Sequence, residues 1–303
     1  MTANRQYLLN GGPMRPIAKL LSVLAVPLLV VAGCTGGQGP SGSTPSAATI
    51  ASAPATASPN AASPSAAPAS TDPAASPSIN ARFAVGDGAR QLALVCWGEG
   101  SPTVLLETGG ANIEEWTGSG VVRRLASGTR VCTYDRAGTG TSDPAPNERR
   151  DAEDVAHDIK ALLVAANLAG PYVLVGRSFG GMIVTHYAEA LPQGVVGVVV
   201  LDTPAPSATF TEQSEPGLVW DFPGNTEHLD VVGGFENRFA KDPPKFQVPV
   251  LVITPLPGEA SAEDESFWLQ VSPKSRQVEL ACGEEPTAGP CADAVVEFVN
   301  GLR

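Results

Sequence analysis

Histidine is nearly missing from this 303-residue chain, which holds only His157, His186 and His228. No two of its five cysteines stand in a C-x-x-C spacing. Without those clusters the chain offers no zinc- or iron-type ligand set, so neither a metal nor an organic cofactor is expected. Basic charge is also short, with 19 Lys and Arg against 31 Asp and Glu and a net charge of −12. That balance argues against a nucleic-acid partner and against docking on anionic lipid by charge. The apolar stretch near the start, residues 20–31, is too short for a permanent bilayer span.

What the first third does contain reads as export and tethering. Met14-Arg15-Pro16-Ile17-Ala18-Lys19 is a basic head before the apolar stretch, which ends in Val31-Ala32-Gly33-Cys34. Such a segment is a processing signal, and small residues before a cysteine fit a bacterial lipobox with Cys34 as the lipidated residue. An ordinary secretory signal with an incidental cysteine is the alternative. Losing residues 1–33 removes Arg5, Arg15 and Lys19 and no acid, which takes the net charge to −15. Residues 35–79 are almost wholly Ser, Ala, Pro, Thr and Gly, with a single charge, Asp72. They cannot bury enough apolar surface to offset chain entropy, and read as a disordered tether reaching roughly 40 Å. The chain is thus expected to be an exported, cell-envelope protein held to the outer membrane face through Cys34, by acyl chains and not by charge.

Residues 80–303 suit one sizeable domain. Short strands are expected at 82–85 and 91–96, then at 103–107, 130–134, 172–175, 195–201, 249–254 and 276–281. Helices are expected at 116–126, 151–168, 179–191, 263–271 and 292–302. On the helix at 151–168, Val155, Ile159, Leu162 and Leu163 share one face. Residues 204–247 are acidic, rich in Pro and Gly and weakly patterned, and read as a small, loop-rich cap after the sixth strand. The order implies an α/β fold with an eight-stranded, mostly parallel sheet and helices on both faces. Four cysteines remain beyond Cys34, and in an exported chain they suggest two disulfides with three connectivities. Cys96–Cys132 with Cys282–Cys291 is favoured, the second closing a short loop.

The chemistry gathers at Gly176-Arg177-Ser178-Phe179-Gly180, which follows the apolar run Tyr172-Val173-Leu174-Val175 and opens a helix. G-x-S-x-G alone is a weak pattern. Set between a strand and a helix it reads as a sharp turn that lifts a serine nucleophile off the sheet edge, with glycines where the turn is crowded. With Tyr134-Asp135-Arg136-Ala137-Gly138 and Leu105-Leu106-Glu107-Thr108-Gly109-Gly110 in the matching chain order, residues 80–303 resemble the α/β-hydrolase family. The resemblance implies that Ser178 is the nucleophile and that the Phe179 N–H and a donor from Gly110 or Ala111 hold the oxyanion. It also makes the second and fourth strands neighbours, which supports pairing Cys96 with Cys132, and makes Tyr134-Asp135-Arg136 scaffold near the site. Arg177 would steer an anionic substrate or, more simply, bond to nearby acidic loops.

The family's histidine should follow the last strand, but that loop reads Ala281-Cys282-Gly283-Glu284-Glu285-Pro286-Thr287. His157 is expected to be exposed on its helix, and His186 stands roughly 12 Å along its helix from Ser178. His228 in the cap is the remaining imidazole. Glu284 is the other possible base, although an unperturbed carboxylate near pKa 4.3 is feeble. Glu259 after the seventh strand or Asp202 after the sixth would be the acid. Two readings follow. One is an esterase- or lipase-type serine hydrolase with a small ester-like substrate. The other is a retired hydrolase domain that binds a ligand or partner. A dehalogenase-type member is excluded, because its elbow carries aspartate and this one carries Ser178.

Overall fold

The structure, a computed structural model, describes residues 76–86, 90–110, 112–117, 119–146, 149–206, 219–222, 225–258, 260–283 and 285–303. The leader, Cys34, most of the tether, Ala111, Glu259 and Glu284 lie outside the described residues.

Ten strands are described: β1 (Ile79–Val85), β2 (Arg90–Trp97), β3 (Thr103–Glu107), β4 (Val131–Tyr134), β5 (Tyr172–Arg177), β6 (Val195–Leu201), β7 (Val219–Phe222), β8 (Asn225–Asp230), β9 (Val250–Pro255) and β10 (Ser275–Leu280). Eight of them form one sheet in the order β1-β2-β4-β3-β5-β6-β9-β10. β2 is antiparallel to β1 and to β4, and every later pair is parallel. β7 and β8 form a separate antiparallel hairpin after β6.

The parallel strands are apolar along their length because both faces are covered. Side chains alternate between two cores: Leu105 and Leu174 pack into one, and Val104, Leu106, Val173 and Val175 into the other. The first core is closed by α3 (Ala152–Ala165) and α4 (Phe179–Ala190) and by Phe235, Phe239 and Trp268. The second is closed by α2 (Gly120–Ala126), α7 (Gly289–Asn300) and Trp116 of the short α1 (Glu114–Thr117). Asp151 caps α3 by accepting from the Glu153 and Asp154 N–H groups, while the Asp154 side chain accepts from the Asp151 N–H. The expected inward stripe of Val155, Ile159, Leu162 and Leu163 is buried.

Three expectations need correction. The helix anticipated at 116–126 is two pieces, α1 and α2, with Ser119 in extended conformation ahead of α2. Glycines at 118 and 120 interrupt the pattern there, and each costs about 1 kcal/mol in a helix interior. The described part of the weakly patterned segment, residues 204–206, 219–222 and 225–247, also holds more regular structure than a loop-rich reading implies. Beyond the hairpin it holds a π-helical turn at Val231–Glu236 and then α5 (Asn237–Lys241). Phe235 and Phe239 from these turns are fully buried, so tertiary packing supplies what local periodicity does not. The stretch expected as one helix at 263–271 is α6 (Ala262–Glu265) continued as a 3-10 helix, Ser266–Val271.

Cys96 and Cys132 are bonded across the register-matched pair of β2 and β4, and Cys282 is bonded to Cys291 at the start of α7.

Candidate active site

Ser178 occupies the one-residue step between β5 and α4, with φ 51° and ψ −127°. A left-handed non-glycine residue costs of order 1–3 kcal/mol and persists only where its surroundings fix it. Here the Ser178 N–H donates to Leu201 O at 3.0 Å, and Ser178 O accepts from the Gly181 N–H at 2.9 Å. The neighbouring glycines are required by close approach. A β-carbon on Gly176 would overlap the Gly180 carbonyl, and one on Gly180 would stand 2.6 Å from both Glu107 O and Thr108 O. The step therefore presses against the end of β3.

The loop after β3 passes directly over the nucleophile: a β-carbon on Gly109 would lie 3.1 Å from Ser178 Cβ and 3.7 Å from its Oγ. Gly110 follows on the exposed side. The Phe179 N–H begins α4, where helix N–H groups and the dipole favour negative charge. Elbow, loop and helix start are thus brought together. Gly109 is itself held, its N–H donating to Glu115 Oε2 at 3.1 Å. Burial lifts the Glu115 carboxyl above the usual carboxylate range, although Arg177 opposes the shift.

Arg177 bonds to acids. Its Nη1 is 3.4 Å from Glu115 Oε1 and its Nη2 is 3.6 Å from Asp202 Oδ2. It lines a cavity of about 340 Å³ with Glu114, Glu115, Ser119, Glu285, Pro286 and Thr287. Arg177 and the loop after β10 thus share the walls of one cavity.

Of the histidines, His157 is exposed beside Glu153. His186 is buried on α4, its Nε2 3.1 Å from Glu153 Oε2 and its Nδ1 accepting from Arg238 Nη1 at 2.7 Å. Burial, and then Arg238, hold its pKa below the ordinary value. His228 lies on β8, with its carbonyl accepting from the Arg150 N–H at 2.9 Å. Asp202 is buried at the end of β6. Ser178, Asp202 and His228 are three of the four left-handed non-glycine residues among those described, the fourth being Asn167.

Sequence reasoning missed three buried carboxylates. Glu107 ends β3 and accepts from Tyr134 OH at 2.5 Å and from Arg136 Nη1 at 2.7 Å. Burial, against the opposing pull of Arg136, raises its pKa to about 7. Glu227 of β8 accepts from Arg136 Nε at 2.5 Å and Nη2 at 3.1 Å. Glu265 accepts from the Thr203 N–H at 2.6 Å, beside Asp202, and burial raises its pKa to about 7. An acid closing the otherwise apolar β3 was the one visible signal. The others are joined to their partners only by the fold. Asp135 meets the scaffold expectation, accepting from the Ile113 and Thr141 N–H groups, both at 2.8 Å.

Sheet order, the β5–Ser178–α4 step and the glycine contacts decide the fold, and residues 102–232 match the family profile described as alpha/beta hydrolase fold. The chain has the α/β-hydrolase fold. A solved relative by structure is a thermophilic esterase from Thermogutta terrifontis, with TM-score 0.55 and 20% identity over 74% of this chain and 99% of that one. A non-heme chloroperoxidase from Streptomyces lividans is 31% identical over 122 residues, 40% of this chain and 43% of its own. A protein named probable transporter efuK, from Hormonema carpetanum, is 38% identical over 109 residues, 34% of this chain and 15% of its own. These matches support the α/β-hydrolase family. The matched segments span less than half the length of the curated relatives.

Proposed function

We propose that this α/β hydrolase is a serine esterase acting on a small carboxylic ester, with Ser178 as nucleophile. The observation that carries the reading is the left-handed backbone of Ser178 at the head of α4, a strained position held by hydrogen bonds and glycine contacts. Ser178 Oγ bonds to the ester carbonyl carbon, the carbonyl electrons move to oxygen, and the Phe179 N–H and the Gly110 loop receive that oxyanion. His228 takes the serine proton and passes it to the departing alkoxide. Water then repeats the sequence on the acyl-enzyme, releasing acid and restoring Ser178. Asp202 orients the imidazole. The chain order Ser178, Asp202, His228 is the order in which this fold presents nucleophile, acid and base, and all three carry left-handed backbone. The further proposal is that Cys34 is the lipid anchor and residues 35–79 the tether.

p-Nitrophenyl acetate hydrolysis by the full-length chain tests the assignment. Ser178→Ala should remove turnover, and His228→Ala should remove most of it while leaving the fold intact. If His228→Ala retains the wild-type rate, the base is elsewhere, with Glu284 next. The second reading, a retired hydrolase that binds a ligand, is favoured by one feature: the loop after β10 is tied by Cys282–Cys291 and lines, with Arg177, a cavity of about 340 Å³. Folded wild-type protein that turns over no faster than Ser178→Ala would support it.

A further inference from the structure

Arg136 joins three segments that are remote in sequence. Its Nη1 donates to Glu107 Oε1 at 2.7 Å and to Thr108 O at 2.8 Å. Its Nη2 donates to Gly109 O at 2.8 Å and to Glu227 Oε1 at 3.1 Å, and its Nε donates to Glu227 Oε2 at 2.5 Å. All five donors of the planar guanidinium are thus engaged, and the group is fully enclosed. Two consecutive carbonyls of the loop over Ser178 are fixed by the same rigid fork that grips the hairpin carboxylate. The guanidinium also lies 5.9 Å from the Phe179 ring centroid, and Phe235 of the segment after β8 packs edge-on against Phe179 at 4.7 Å. The insert between β6 and β9 therefore touches the elbow directly through Phe235 and reaches it at one remove through Glu227 and Arg136.

We infer that Arg136 is a positioning residue that couples docking of the β7–β8 hairpin, through Glu227, to the geometry of the oxyanion loop at residues 108–110. A buried guanidinium facing two carboxylates is costly to leave half paired, so losing Glu227 forces it to re-aim. Re-aiming draws Nη2 away from Gly109 O, and Gly109 is the residue packed against Ser178. Thr226 adds a second anchor for the hairpin, its N–H donating to Gly138 O at 3.0 Å. That anchor lets the hairpin stay folded when the charge is removed. In catalytic terms the inference rests on the esterase reading. The structural coupling does not.

The test pairs amide hydrogen exchange with kinetics on the full-length chain carrying Glu227→Gln or Glu227→Asp. Exchange across residues 108–112 should rise about tenfold in Glu227→Gln, the loss expected for one charge-assisted hydrogen bond, and should be largely rescued in Glu227→Asp. kcat on p-nitrophenyl acetate should fall by a similar factor with KM little changed, since an oxyanion contact strengthens in the transition state. Faster exchange in the hairpin with none at residues 108–112 would overturn the coupling. An unchanged kcat, with exchange raised at both places, would overturn its link to the oxyanion. If wild type has no turnover, the esterase reading fails alone, and the exchange result still decides the coupling.

Discussion

The turn after β5 and the loop after β10 sit at the same end of the sheet and follow different rules. The turn is defined by backbone: Gly176 and Gly180 leave no room for a methyl group, Gly109 leaves little, and Ser178 is held left-handed between them. The loop is defined by a covalent tie, Cys282–Cys291, around a glycine with nothing within 4 Å of its β-position. One region admits almost no substitution. The other, residues 281–288, contains no histidine. If Ser178 is the nucleophile proposed above, its base must come from outside residues 281–288 or be a carboxylate.

The sharpest break in that comparison is Ser178→Ala, which should lower ester turnover by at least about 10³-fold, while no single change in residues 281–288 should do so. Glycines come next. Gly180→Ala should cost about 3 kcal/mol in urea denaturation, because its β-carbon meets two carbonyls, whereas Gly283→Ala should cost only about 1 kcal/mol for its left-handed backbone. Cutting the tie with Cys282→Ser and Cys291→Ser should cost about 2–3 kcal/mol by the chain-entropy estimate, with ester turnover retained.

Charge separates the two regions as well. Glu107 and Glu265, buried behind the turn, have pKa values raised from 4.5 to about 7, whereas Glu285 in the loop is exposed. A carboxyl kept protonated by the folded state adds stability that is complete below pH 4.5 and gone once the pH has passed about 7. Thermal unfolding should therefore move to lower temperature between pH 5 and pH 8. Glu265→Gln should flatten that slope by on the order of 2 kcal/mol, and Glu285→Gln should not change it. The smallest effect should come from Glu285→His. The new imidazole would face Arg177, so turnover should stay within about twofold, against the 10²-fold or more that a true general base supplies.

The legible parts of the molecule were those set by local rules. The alternating elements and the glycine-flanked serine carry their geometry in neighbouring residues, so the sheet and the turn could be read from the chain. Local loop closure likewise pointed to Cys282 and Cys291. The break between α1 and α2 falls at glycines 118 and 120, which the expected single helix at 116–126 did not take into account. Arg136 and Glu227 lie 91 residues apart, and no periodicity joins them. Their pairing exists only once β3, β4 and the hairpin are assembled, which is why the loop at 134–138 read as scaffold and its reach to Gly109 went unseen.

The proposed function requires the strained turn to present an activated serine although residues 281–288 hold no histidine. Its most direct test is intact-mass measurement of the full-length chain after exposure to a fluorophosphonate, with the adduct mapped by peptide. The account predicts one adduct, on Ser178, absent from Ser178→Ala. A folded wild-type chain that takes up no adduct, or takes it up equally when Ser178 is alanine, would contradict it.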